Sequence, residues 1–141
     1  MESGRPFSKN KFFELLSTTV QADDYLKQAP IVYVDGAFFV IAGVDSSTNY
    51  MKTIGRLDEE TLTWSKAGNL NSGRHGSNAI FDGSVILVVG GNSSPEKTEK
   101  CVISGDEVTC TAQSPELRYY VNYPELFLVP SNFCQNYVQL N

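Results

Sequence analysis

RLDEETLTWSKAGNLNSGRHGSNAIFDGSVILVVGG, residues 56–91, is the most telling stretch of this chain, because parts of it recur on both sides. Its apolar run after Asp82-Gly83, closed by Gly90-Gly91, has a twin in VDGAFFVIAG at residues 34–43, and the Asp-Gly pairs at Asp35-Gly36 and Asp82-Gly83 stand 47 residues apart. GRLDEETLTW, residues 55–64, aligns without gaps to CVISGDEVTC, residues 101–110, at an offset of 46. Self-similarity at such a period is the mark of solenoids, propellers and arrays, in which one supersecondary unit is stacked on the next.

Outward from this stretch, everything after Ala29 reads as short β-rich runs: APIVYV, AFFVIAG, MKTIGRL, TLTWSK, HGSNAIF, SVILVVGG, KCVIS, EVTCTA and YPELFLV. Between them lie DG, VDSSTN, DEE, AGNLNSG, DG, NSSPEK and GD, residues that turn the chain by positive φ or by bonding their own backbone. This spacing predicts an all-β sandwich, barrel or propeller and excludes βαβ units. AFFVIAG and SVILVVGG are nearly continuous apolar runs, as expected of strands covered on both faces, and that favours stacked propeller blades over a two-layer sandwich. KTIGRL and TLTWSK alternate apolar and polar, as outer strands with one wetter face should. In the first 28 residues, KFFELLSTTV reads either as a short helix with Phe12, Phe13, Leu15 and Leu16 inward or as the outer strand of a preceding unit. Ser17 stands as far before Pro30 as Trp64 stands before Ser77, which favours the strand.

The 141 residues, 41% of them hydrophobic, suffice for a core of ordinary size. A net charge of −5 with 11 scattered Lys and Arg argues against nucleic acid, whose binders carry a basic stripe. No apolar run approaches the ~20 residues that span a bilayer, and MESGRPFSKNKFFELLSTT lacks the apolar core of a signal peptide. The default compartment is therefore cytoplasmic. Cys101, Cys110 and Cys134 show no zinc-ligand spacing, and His75, the single histidine, has no acidic or thiolate neighbours in SGRHGSN. No metal or other cofactor is expected. Asn92-Ser93-Ser94 fits a glycosylation sequon, a motif short enough to occur by chance.

Residues 57–91 resemble a kelch repeat. The motif elements are Leu57-Asp58, Thr61-Leu62-Thr63-Trp64, Arg74, the strand through Ala79 to Phe81, Asp82-Gly83 and the doublet Gly90-Gly91. The resemblance extends over residues 29–129, with departures: the usual Tyr is Leu57 in one unit and Ile103 in the next, the first doublet is Ala42-Gly43, and Trp64 is replaced by Cys110. It implies a partial kelch-like β-propeller of about two four-stranded antiparallel blades plus flanking strands. Residues 1–28 would flank a first blade at 29–66, a second blade would follow at 74–112, and 113–141 would begin a further blade. The small-residue strand would be innermost, Trp64 would sit on the fourth strand, and Gly43, Gly90 and Gly91 would end second strands. At such an end glycine lets the backbone turn where a Cβ would clash and leaves room for an aromatic ring.

The cysteine spacing permits a sharper expectation. A two-residue turn at Gly105-Asp106 sets Cys101 opposite Cys110 as a non-hydrogen-bonded pair with Cα atoms about 4.5 Å apart, near the short limit for a disulfide. The pair is then either bridged or two buried thiols, and a bridge would argue for secretion. The same register in the first unit sets Gly55 opposite Trp64, a small residue under a large ring.

Asp58, Glu59 and Glu60 form an acidic cluster that reads as a solvated turn tip, and no GxSxG, HExxH or EF-hand pattern is present, so no enzyme is expected. The resemblance implies instead a protein-interaction module that binds through loops at one end of the blades, here 44–50, 92–97, 67–74 and 113–120. Tyr50, Arg74, Tyr119 and Tyr120 are the contact candidates, since Arg and Tyr are enriched at binding hot spots. The alternatives are a fragment of a propeller-type carbohydrate-active enzyme and a secreted adhesion or matrix domain. Two blades are fewer than the roughly 4 to 8 of a closed ring, so self-association or completion by another chain is expected.

Overall fold

The computed structural model describes residues 27–92, 97–114, 116–117 and 121–129. Among them the protein is all-β, with eight strands and no helix. Four strands make a first antiparallel meander: β1 (Ile31–Val34), β2 (Ala37–Val44), β3 (Tyr50–Asp58) and β4 (Trp64–Asn69). Four more make a second: β5 (Asn78–Phe81), β6 (Ile86–Val89), β7 (Thr98–Ser104) and β8 (Glu107–Ala112). The sheet order is β1-β2-β3-β4-β8-β7-β6-β5, and the two meanders touch edge to edge only through a short parallel pairing of Gly68 with Val108 and Asn69 with Thr109. A Cβ on Gly68 would lie 2.1 Å from the Val108 carbonyl oxygen, so that approach requires glycine. At the other ends of the meanders, β1 lies beside β5. The arrangement is a partial propeller of two four-stranded blades packed face to face.

The core between the blades is a single apolar cluster. Val32, Val34, Ala37, Phe39, Ile41, Ile54 and Ala67 face it from the first blade, and Ile86, Val88, Cys101 and Val108 face it from the second. Phe39, Ile41, Ile54, Ile86 and Val88 are wholly or almost wholly buried, each stabilising the stack by about 1.5–3 kcal/mol. The blades stack in the same sense. By the sequence offset, Cys101, Ile103 and Cys110 of the second blade correspond to Gly55, Leu57 and Trp64 of the first. The former look toward the first blade, while the latter, paired with Val40 and Phe38 on β2, look away from the second. Each blade thus offers one face forward and the other back.

Backbone conformation repeats with the sequence. Ala42-Gly43 has φ of 57° and 102°, and Gly90-Gly91 has 62° and 99°. The first left-handed pair makes a bulge in β2, whose ladder with β3 resumes at Gly43 and Val44, and the second follows β6. The ring space expected beside the second doublet is taken up by backbone: a Cβ on Gly90 would meet the Val121 carbonyl oxygen at 2.2 Å, and one on Gly91 the His75 carbonyl oxygen at 2.9 Å.

Cys101 and Cys110 pair in the expected register and are joined by a disulfide, with Cα atoms 4.0 Å apart. In the first blade the register differs from expectation. Leu57, not Gly55, stands opposite Trp64, because the connection is not a two-residue turn. Asp58 Oδ1 accepts from the backbone N–H of Glu60 and of Thr61 and from the Thr61 hydroxyl, and Leu62 takes a positive φ of 55°, so residues 59–63 form a wider loop. The Trp64 ring nevertheless leans diagonally over Gly55, where a Cβ would sit 3.6 Å from its Cζ3. YPELFLV, expected as a strand, forms none over residues 123–129. The expected helix or strand around Ser17 lies outside the described residues.

Candidate functional site

Three connections meet at one end of the stack: the β2–β3 loop after Val44, the linker 70–77 between the blades, and the turn after β6. Asp45 shapes the first. Its Oδ1 accepts from the backbone N–H of Ser47 and Asn49 and its Oδ2 from the Asn49 side chain, at 2.8–2.9 Å. Those bonds, led by the Asn49 side chain, hold its carboxyl below the usual aspartate range. The linker is tied to the first blade by backbone bonds, Arg74 N–H donating to Met51 O at 3.1 Å and Gly43 N–H to Arg74 O at 2.9 Å. Gly73 presses against this loop so closely that a Cβ would lie 2.4 Å from the Tyr50 carbonyl oxygen.

On this frame the side chains form a strip. The Tyr50 ring, 48% exposed, lies 4.8 Å from the His75 ring, and His75 Nε2 is 3.1 Å from Asn92 Nδ2. Asn92 is exposed, and its backbone N–H donates to the His75 carbonyl at 2.8 Å. Next to them Tyr123, 60% exposed, covers Gly76, where a Cβ would be 2.7 Å from its ring. Tyr50, His75, Asn92 and Tyr123 are thus brought together from four separate segments. The strip is aromatic and polar, suited to contact with another molecule's surface.

Arg74 is not part of that strip. It is fully buried, and its guanidinium donates to Glu99 Oε1 at 2.6 Å and to the carbonyls of Gly90 and Lys97, each at 3.1 Å. Glu99, 1% exposed, also accepts from Asn71 N–H and Nδ2 at 2.8 Å and from Ser72 N–H at 3.3 Å. A buried pair is tolerated only when its remaining donors and acceptors are satisfied, as they are here. Its effect is to fasten the linker of one blade to the β6–β7 hairpin of the next. A partner at the loop end therefore cannot reach Arg74.

Tyr119 and Tyr120 lie outside the described residues. Gly43, Gly90 and Gly91 stand behind the strip as the left-handed turns that aim its loops, while Gly55, Trp64 and the cysteine pair lie in the blades themselves. Sequence reasoning missed Glu99 and Tyr123, and it did not single out His75 or Asn92 as contact residues. A signal for Glu99 existed, since it stands two residues before Cys101 and so on the same inward face of an alternating strand. Tyr123 gave none, because its place depends on the fold. At the opposite end, the acidic tip is a solvated turn, with Tyr33 donating to Glu59 at 3.1 Å and Arg56 bridging Asp58 and Asp106, each at 3.3 Å. Among the described residues no group of three or more His, Cys, Asp or Glu could hold a metal ion, and no helix is long and apolar enough to cross a membrane. No protein-family model and no curated protein matches the chain by sequence.

Proposed function

We propose that the chain is a kelch-type protein-interaction module, without catalysis, that binds a protein partner through the loop end of its blades. One observation carries the reading: Tyr50, His75, Asn92 and Tyr123 converge from four segments on a frame fastened by the buried Arg74–Glu99 pair. Exposed aromatic side chains on a rigid support contribute contact area at low entropic cost, and Tyr is enriched among residues that dominate binding energy. The test is site-specific photo-crosslinking. A photoreactive phenylalanine analogue at position 50 should capture a partner protein in native extract, and Tyr123→Ala should abolish the capture. The same analogue at Gly105, on the opposite end, should capture nothing. Equal capture from both ends, or capture indifferent to Tyr123→Ala, would refute the loop-end reading.

The Cys101–Cys110 disulfide favours a second setting for the same module, a secreted adhesion or matrix domain, since such bridges persist in oxidising compartments. Thiol alkylation of the chain isolated from its native source separates the two, because a cytosolic module would carry both thiols free.

A further inference from the structure

The left-handed residue that precedes each inner strand occurs three times, not twice. Gln28, Gly76 and Tyr123 have φ of 57°, 63° and 52°. They are also linked, Gly76 N–H donating to Gln28 O at 2.9 Å and Tyr123 N–H to Gly76 O at 2.7 Å. The glycine doublets repeat the relation nearby: Gly43 N–H donates to Arg74 O at 2.9 Å, and Gly91 N–H to Val121 O at 2.8 Å. After Gln28 the chain enters β1, and after Gly76 it enters β5. After Tyr123 comes Pro124-Glu125-Leu126-Phe127-Leu128-Val129, seated beside the second blade by a 2.8 Å bond from Asn78 Nδ2 to the Pro124 carbonyl.

β1 and β5 each pair antiparallel with the apolar strand that follows, β2 or β6. Residues 125–129 take part in no strand ladder and, among the described residues, in no backbone hydrogen bond. Phe127, Leu128 and Val129 are 78%, 60% and 42% exposed. A short apolar run whose backbone donors and acceptors have no backbone partner among the described residues is a template for strand addition. The two complete blades of the same molecule show what covers such a run: a near-continuous apolar strand, antiparallel, on its outer side.

We infer that residues 125–129 are the inner strand of a third blade, and that their open edge docks an antiparallel β-strand of the β2 and β6 type presented by a partner polypeptide. Main-chain bonds supply the attachment, and the alternating side chains at 126 to 129 set the register, as they do in β1 with β2. The inference rests on the repeat geometry and is independent of the loop-end reading.

The probe is a labelled peptide of residues 84–91, SVILVVGG, with terminal lysines for solubility, titrated into the full chain. Fluorescence anisotropy should show saturable binding, and hydrogen exchange at residues 125–129 should slow at least tenfold. Phe127→Pro and Leu128→Pro lie outside the sheet and leave the fold intact. One of the two removes a ladder donor and should weaken binding at least tenfold, and Phe127→Asp tests the apolar contact in the same way. Equal binding of a scrambled peptide, unchanged exchange at 125–129, or binding indifferent to all three substitutions would overturn the inference. So would amides already protected in the dilute free chain, or protected by raising chain concentration alone, since the edge would then be held by this chain or a second copy.

Discussion

The two blades solve one structural position in different ways. In the first, Trp64 leans over Gly55 across a strand pair whose connecting loop is five residues wide; in the second, the corresponding residues are Cys110 and Cys101, joined covalently across a two-residue turn. A ring over a glycine needs area and a diagonal reach, so it tolerates a wide loop. A disulfide needs two residues directly opposite, so it depends on the register that the tight Gly105-Asp106 turn imposes. The difference teaches that the repeat conserves a contact between third and fourth strands rather than a residue type.

The joint between the blades is where the stack breaks most easily. Glu99→Ala strands the Arg74 charge in the core and should cost roughly 3–5 kcal/mol in urea unfolding, whereas Arg74→Met with Glu99→Leu should recover most of that loss. Next in size, Cys101→Ala with Cys110→Ala removes a closure spanning a sequence separation of 9 residues and should lower stability by about 2.5 kcal/mol, read as a reduced midpoint in urea.

On the first blade, Trp64→Ala should cost about 2 kcal/mol, less than a fully buried aromatic, because the ring is half-buried. The register difference can be tested directly there. Gly55→Cys with Trp64→Cys should leave both thiols free to alkylation, since diagonal positions lie about 7–8 Å apart, beyond disulfide reach. A spontaneous bridge would mean that the two hairpins share a register after all.

The smallest effect lies in the wide loop. The backbone N–H of Thr61, then its hydroxyl, hold the Asp58 carboxyl below the usual aspartate range. A depressed carboxyl contributes stability above its unfolded value, near ~4, and loses that contribution as pH falls through its lower folded value. Asp58→Ala should therefore flatten the acid limb of the stability profile. A parallel acid limb in wild type and Asp58→Ala would remove Asp58 as the loop's organiser.

Much of this architecture was legible in the residues. The strand runs, the Asp-Gly turns and the offset between residues 55–64 and 101–110 announce a repeated β-meander, and a two-residue turn forces Cys101 against Cys110. The first hairpin was misread because the sequence alignment is gapless while the turns are not alike; Asp58 gathers three donors from Glu60 and Thr61 and widens the loop. Arg74 was legible as a residue in a loop but not as a buried one, since its carboxylate partner is supplied by β7 of the following blade. Residues 123–129 have the composition of a strand, yet a strand exists only when a neighbour supplies its ladder.

What the sequence by itself determined is period-two patterning and turn chemistry, each set locally by backbone sterics and side-chain alternation, and their recurrence at an offset of 46 to 47 residues. Only the tertiary structure decided which face of each blade points forward, that Arg74 and Glu99 meet in the core, that Tyr50, His75, Asn92 and Tyr123 share one end, and that the left-handed conformation of Gln28 and Gly76 recurs at Tyr123. Those outcomes depend on contacts between distant segments, whose geometry is fixed by packing two blades together and is written in neither blade alone.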